Sequence, residues 1–380
     1  MRVYLDHAST SPLRPAASEA MLRYLTAAPN LGDNWGDPGR IHYEGMRSRV
    51  AVEEAREQLA DIVGARPREV VFTSGATEAV AMACFGAVHH RPGATGMVLA
   101  ATEHSCVRTR AEQPFVPGAT ATVVGVDAQG HVDPAELMAA VDDTTALVHV
   151  QWGNHEVGTY GPVVDVVEAC RERGVLVHVD AAQAVGRQLI DFDELGADLM
   201  SISGHKLGGP PGTGALLVRR GLRLDPLLVG GDQERARRAG MENVVGIIGL
   251  GAAADEAGGR LLHTDRIQRA LTDRVVEGLS GVLEPVGNPV DRLPHIVCFT
   301  VPGVEPQPLL VGLDRAGIAV HSGSSCSSET LEDSPVLAAM GVDAHHSLRV
   351  SVGWSTTTED VDRLVEVLPK VLAELQGLAP

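Results

Sequence analysis

The chain has 380 residues, 44% of them hydrophobic, enough for a large core in one α/β unit with a smaller companion, or for two or three average domains. Its 49 acidic and 31 basic side chains give a formal net charge of -18, which argues against direct nucleic-acid binding or attraction to an anionic membrane. Five scattered cysteines (Cys84, Cys106, Cys170, Cys298 and Cys326) with no C-x-x-C pair argue against a disulfide framework or a zinc site, and a reducing cytoplasm is expected.

The opening MRVYLDHAST reaches an aspartate at position 6 without an apolar leader, and no later run approaches the roughly 18 apolar residues of a membrane span. Helical spacing runs from Arg47 to Val63, and a β-branched run from Glu69 to Thr73 breaks at Ser74-Gly75 into a helix beginning at Ala76. Free N–H groups at that helix start, with the Thr77 hydroxyl, predict an anion-binding corner. Further apolar runs fall at Met97–Ala100, Thr122–Val126, Ala146–Trp152, Val175–Val179, Leu199–Ser203 and Ala215–Val218. Helical patterns such as Val163–Arg173 separate most of them, which predicts a doubly wound, largely parallel sheet. The pattern changes near Gly251. Helical stretches over Asp255–Gly278, strands at Ile296–Val301, Ile318–His321 and Leu348–Val352, and helices at Gln307–Ala316 and Glu359–Gln376 predict a smaller α+β domain. The expected division is a large cofactor-binding domain over 14–252 and a small domain formed by 1–13 and 253–380.

Chemistry concentrates between Val175 and Gly214. One apolar run ends in Asp180 and the next in Ser203, His205 and Lys206, so both deliver polar groups to a strand's carboxyl end, where open α/β sheets bind ligands. A lysine there with an acidic partner meets the demand of pyridoxal phosphate, whose aldehyde takes a lysine and whose pyridine nitrogen takes an acid. A surface lysine in a glycine-rich loop is the competing reading. Glycines 204, 208, 209, 212 and 214 match neither G-x-x-x-x-G-K-[ST] nor G-x-G-x-x-G, so a nucleoside-triphosphate site is not expected. His178 shares a strand face with Asp180 and reads as a core histidine. His104 follows the Met97–Ala100 run and is the candidate ring-stacking or proton-shuttling imidazole. Gln183 lies just past a strand end, within reach of a ring substituent or facing solvent. Cys326, within HSGSSCSSE at 321–329, reads either as an accessible nucleophilic thiol or as an incidental turn cysteine.

SGATEAV at 74–80, TEHS at 102–105, HVDAAQAVG at 178–186, SGHKLGGPPGTGAL at 203–216 and SGSSCSS at 322–328 occur in this order. Together they make the chain resemble a cysteine desulfurase of the NifS/IscS type, in the class-V aminotransferase branch of the fold-type-I pyridoxal phosphate enzymes. Agreement runs from YLDHASTSP at 4–12 to SLRVSVGWSTT at 347–357. The resemblance implies an α/β fold with a mostly parallel seven-stranded sheet. It also implies that Lys206 carries the cofactor, Asp180 pairs with its ring nitrogen, His104 stacks on the ring and Gln183 meets its hydroxyl. Ala76, Thr77, Ser203 and His205 would hold the phosphate, Asn154 and Arg349 would bind the substrate, and Cys326 would take sulfur from L-cysteine for an acceptor protein. A homodimer is implied as well. Three departures stand out: His155 replaces a cofactor-contacting asparagine, Met241 replaces a threonine offered to the neighbouring subunit's phosphate, and no long tail follows the last helix to engage an iron–sulfur scaffold. Rival readings are a selenocysteine lyase, C–S lyase or aminotransferase of the same branch, or a weakly active sulfur-relay protein.

Overall fold

Aliphatic and β-branched runs in the first two thirds of the chain fold into strands that alternate with helices, as their spacing predicts. The computed structural model describes residues 2–26, 36–90, 93–323 and 333–377, and Cys326 lies outside them. After β1 (Val3–Tyr4) come β2 (Val70–Thr73), β3 (Gly96–Ala100), β4 (Ala121–Val124), β5 (Thr145–Gln151), β6 (Leu176–Asp180), β7 (Leu199–Ser203) and β8 (Gly214–Val218). β2 to β8 make one seven-stranded sheet in the order β2-β8-β7-β6-β5-β3-β4. Every pairing is parallel except those of β8, which runs antiparallel between β2 and β7. The expected mostly parallel sheet is therefore present. Chain order switches at β3, which has β4 on one side and β5 on the other, and such switch points open ligand crevices beyond the strands' carboxyl ends.

A parallel strand covered on both faces has no polar side, and all seven residues of β5 (TALVHVQ) are buried. Successive strand residues divide between two cores. Val98, Val148, Val177 and Val179 pack toward helices Tyr43–Ile62, Val163–Arg173 and Val244–Gly258. Met97, Leu99, Leu147 and Leu199 pack toward helix Ala76–His90. Helices Tyr43–Ile62 and Val244–Gly258 approach so closely that a Cβ on Gly251 would meet Ala55 Cα at 2.6 Å.

The last third adds β9 (Glu284–Val286), β10 (Ile296–Thr300), β11 (Ile318–Ala319) and β12 (Ser347–Ser351). β10 lies antiparallel between β9 and β12, and β1 pairs in parallel with β11. Their core joins Val3 and Leu5 to Leu271, Phe299, Leu313, Leu348 and Leu368, so the first residues pack with the last third. Helix Thr358–Gln376 covers this core and opens on a capping box in which the Thr357 hydroxyl accepts from Asp360 N–H and the Asp360 carboxylate accepts from Thr357 N–H. No helix among the described residues is long and apolar enough to cross a membrane.

Some elements differ from expectation. The stretch read as helical over Asp255–Gly278 is two helices, Val244–Gly258 and Leu261–Gly278, because the first carries apolar residues all round and shows no face for a periodicity argument. Helix Pro15–Thr26 was not predicted, and it buries only Ala17, too little for a pattern. The predicted strand Ile318–His321 is confined to Ile318–Ala319, with His321 making a single bridge to Arg349.

Four histidines are fully buried: His7, His149, His178 and His295. The Nδ1 atoms of His149 and His178 lie 3.1 Å apart, and Cys84 Sγ is 3.5 Å from His149 Nε2. Burial, together with Arg187 and Arg14, pushes the His7 imidazole down to about 3. Burial takes His178 to about 4 despite Asp180, and takes His149 and His295 well below the ordinary histidine range. These groups stay neutral in the folded protein but protonate near 6.5 when unfolded, so their stabilisation is present above pH 6.5 and is lost as pH falls toward the folded values. Buried Glu103, raised to about 8, acts in the opposite sense and offsets about one of them. At ~1.4 kcal/mol per proton and pH unit, unfolding free energy should drop by roughly 3 kcal/mol between pH 7 and 5.5. Urea unfolding midpoints of the cofactor-loaded protein across that range check this.

Candidate active site

The carboxyl ends of β3, β5, β6 and β7 converge on a cavity of about 500 Å³. β6 ends in Asp180, and β7 ends in Ser203, from which a one-turn helix, Gly204–Leu207, lifts His205 and Lys206 into the wall. The β2 turn brings Ser74 to Thr77 and the N-terminus of helix Ala76–His90. This turn sits tight against the sheet, since a Cβ on Gly214 would meet Gly75 Cα at 2.7 Å and Ile202 O at 2.6 Å. Ala8 to Thr10 and Arg349 of β12 close the side facing the smaller core.

Asp180 is buried, and its Oδ1 accepts from Ala182 N–H and the Ser201 hydroxyl, both at 3.0 Å. Burial raises this carboxyl, but His178, His104, the Ala182 N–H and Lys206 outweigh it and hold it below its ordinary range. Lys206 is half-buried in the wall. Burial lowers its ammonium, Asp180 pulls it back, and Arg349 and Arg187 push it down again, leaving it below the usual lysine value. Arg187 is itself buried, donates to the carbonyls of Lys206 at 2.8 Å and Gln183 at 3.4 Å, and is lowered to about 9 by burial and by Arg14. Lys206 and Lys370 are the only lysines in the chain. Lys370 is an exposed partner of Glu366 on the last helix.

His104 caps helix Ser105–Glu112, and its Nδ1 accepts from Cys106 N–H at 3.2 Å and lies 3.1 Å from Cys106 Sγ. In the neutral ring this leaves the proton on Nε2. The His155 ring meets His104 edge to face, with centroids 4.8 Å apart. Burial and Asp180 raise the Cys106 thiol, so it stays protonated. Beneath them, burial and then Asp180 raise Glu103, consistent with a neutral carboxyl that accepts from Gln151 N–H at 2.9 Å.

The helix end of the cavity offers the N–H groups of its first turn, and Glu78 lines the same corner, accepting from Ser74 N–H at 2.7 Å and pairing with Arg238 at 2.8 Å. Arg349 donates to His155 O at 2.8 Å, Ser9 Oγ at 2.7 Å and Asp6 Oδ1 at 3.0 Å, and its buried Nε has no hydrogen bond among the described residues. His205 is pushed down to about 4 by burial and by Lys206, so it faces the cavity neutral.

Ala76, Thr77, His104, His155, Asp180, Gln183, Ser203, His205, Lys206 and Arg349 thus line a single cavity. Asn154 does not line it. Its amide nitrogen donates to Thr102 O at 3.1 Å and its oxygen accepts from the N–H groups of Glu156 and Val157, which fixes the loop that presents His155. Gln183 is engaged too, donating to Ala8 O at 2.9 Å and lying 3.1 Å from His295 Nε2. The sequence reading passed over Asp6, Ser9, Glu103, Cys106 and Arg187 as site residues. The scarcity of lysine was a usable signal, and Asp6 lies inside the quoted YLDHASTSP; nothing local marks Arg187.

The class-V aminotransferase family model matches residues 3–364. A cysteine desulfurase IscS of Methanosarcina thermophila is 40% identical over 384 residues, covering 100% of this chain and 94% of the relative. A cysteine desulfurase of Cereibacter sphaeroides is 38% identical, covering 100% of this chain and 98% of the relative. Among solved structures, a NifS-like protein superposes with a TM-score of 0.90 at 30% identity, covering 99% of this chain and 100% of the other. A structure described as SspA in complex with cysteine superposes with a TM-score of 0.80 at 26% identity, covering 93% and 100%. With the lysine, the carboxylate and the helix N-terminus gathered at the carboxyl edge of a sheet shared with these proteins, the chain belongs to the class-V aminotransferase family.

Proposed function

We propose that the protein is a pyridoxal phosphate-dependent cysteine desulfurase that converts L-cysteine to L-alanine and passes the sulfur through Cys326. The observation that carries this is the pairing of Lys206, with its amine lowered, and Asp180, with its carboxyl held ionised, at neighbouring strand ends inside one cavity. The residues present fit the cofactor. Asp180 Oδ2 has no hydrogen bond among the described residues and is available to a ring N–H. The first-turn N–H groups of helix Ala76–His90, with Thr77, Ser203 and His205, form a polar corner for a phosphate, and His104 offers a ring for stacking. Bound there, the cofactor supplies an electron sink for a negative charge at the substrate Cα.

The chain's own groups supply the remaining work. Arg349, held in place by Asp6, Ser9 and the His155 carbonyl, offers the substrate carboxylate the guanidinium hydrogens that these bonds leave unused. Lys206 Nζ, with its lowered proton affinity, takes the Cα proton. His104 stands in the same wall as an imidazole able to move a proton. The Cys326 thiolate bonds to the substrate sulfur as the carbon–sulfur bond breaks, the departing carbon takes a proton to become alanine, and Cys326 is left as a persulfide for an acceptor protein. Free thiols at Cys84, Cys106, Cys170 and Cys298 suit a reducing cytoplasm.

The same reading takes the protein as a homodimer in which residues 230–243 meet the partner's cavity. Glu234 anchors this segment through a bidentate pair with Arg56 at 2.7 and 2.8 Å, and Glu234, Arg235 and Ala236 are held at positive φ of 47°, 59° and 61°. Met241 is left 61% exposed and nearby Val229 81% exposed, apolar surface that a partner would cover. Light scattering should give a dimer, and a fully active monomer contradicts this.

Cys326→Ser tests the reaction. The variant should keep the cofactor's colour and bind cysteine, yet release less than about 1% of the wild-type alanine, because a serine hydroxyl is too poorly acidic and nucleophilic to replace a thiolate. Peptide mapping after a single turnover should find the added sulfur on Cys326 and none on Cys106, whose thiol burial keeps protonated. Substantial alanine from Cys326→Ser leaves a lyase instead.

A further inference from the structure

Away from the cavity, one other convergence of metal-ligating side chains occurs among the described residues, where the end of β10 meets the start of β12. Glu305 follows β10, and His345 and His346 lead into β12. These strands are antiparallel neighbours, and their ladder continues past them through Val301 N–H to His346 O at 2.9 Å. Glu305 and both imidazoles are thereby fixed at the same sheet end. His345 Nε2 lies 2.9 Å from Glu305 Oε2, His346 Nε2 lies 3.8 Å from Oε1, and the ligand atoms of all three residues fall within 4.8 Å of one another.

Each ring is also held from behind. His345 Nδ1 is 3.0 Å from Asp333 Oδ1, and His346 Nδ1 is 2.9 Å from Asp343 Oδ2. A carboxylate that accepts a hydrogen bond from Nδ1–H fixes the ring, and in the neutral ring Nε2 is then the atom that can face a metal ion. Both Nε2 atoms and the Glu305 carboxylate converge on one point. Three carboxylates, Glu305, Asp333 and Asp343, surround the two rings, and without a metal a proton on His345 is shared with Glu305 and Asp333; a divalent ion would take that proton's place. Two nitrogens with a carboxylate suit zinc-class ions, whereas magnesium and calcium prefer all-oxygen shells.

We propose that Glu305, His345 and His346 form a surface site for a divalent transition metal of the zinc class, with Asp333 and Asp343 as positioning residues and water completing the shell. Asp333 belongs to a segment fastened by Ser334 N–H to Ala344 O at 2.9 Å, so the ion would join chain segments near 305, 333 and 345.

The test titrates Zn²⁺ into cofactor-loaded full-length protein against a chromophoric chelator and repeats it with Co²⁺, whose visible bands report nitrogen coordination. One ion per chain should bind, His345→Ala and His346→Ala should each weaken binding more than tenfold, and Asp333→Asn should weaken it by about tenfold or more. Cys326→Ser should bind the ion as wild type does. If a histidine variant melts below wild type in chelator, Glu305→Gln, on an exposed turn, replaces it. Absence of micromolar binding, binding unchanged in the ligand variants, or loss of the ion in Cys326→Ser alone overturns the proposal.

Discussion

Burying an amine and a carboxylate at the ends of β6 and β7 is the constraint on which the rest of this structure depends. An isolated charge costs several kcal/mol to remove from water, and groups left unaided neutralise instead. Asp180 stays ionised because Ala182 N–H from its own strand's exit, the Ser201 hydroxyl from the neighbouring β7, and the imidazoles of His178 on β6 and His104 after β3 surround it. Ser201 faces Asp180 directly in the β6–β7 register, so a one-residue slip of either strand would remove the hydroxyl. The parallel sheet is thus more than a scaffold, because its register fixes the electrostatics of the cavity.

The cavity gathers the N-terminus of helix Ala76–His90, the Arg349 guanidinium, Lys206 and Asp180 in one wall. Arg349 stands on β12 but is held by Asp6 and Ser9, and the backbone next to these residues pairs with β11 and bridges to Ser351. Both ends of the chain therefore meet at one side of the site, which is complete only when the smaller core has assembled on the larger sheet. Arg187, a buried cation with no carboxylate partner among the described residues, adds a positive field near Lys206.

Much of this was legible in the sequence because it rests on short-range rules. Apolar runs ending in Asp180 and Ser203 placed β6 and β7 and gave the edge they serve, and the Ser74-Gly75 break gave the helix start. What escaped depended on packing between distant segments. The ion pair of Asp6 with Arg349 joins residues far apart in the chain, and helix Val244–Gly258 is apolar all round and so shows no period. The amide of Asn154 stabilises its own loop, a role set by Thr102 from another strand end. Gln183 has its amide tied to Ala8 and His295, which tertiary folding alone brings near.

The central claim is that Lys206 is the cofactor's anchor, and the chain's composition makes it directly measurable. Only Lys206 and Lys370 offer side-chain amines, one inside the cavity and the other exposed on the last helix. Incubation with pyridoxal phosphate, borohydride reduction and peptide mapping should place the reduced adduct on Lys206 alone, at one per chain, and Lys206→Ala should abolish it. Stoichiometric labelling of Lys370 with Lys206 unmodified, or a wild-type protein that takes up no cofactor, would contradict the account.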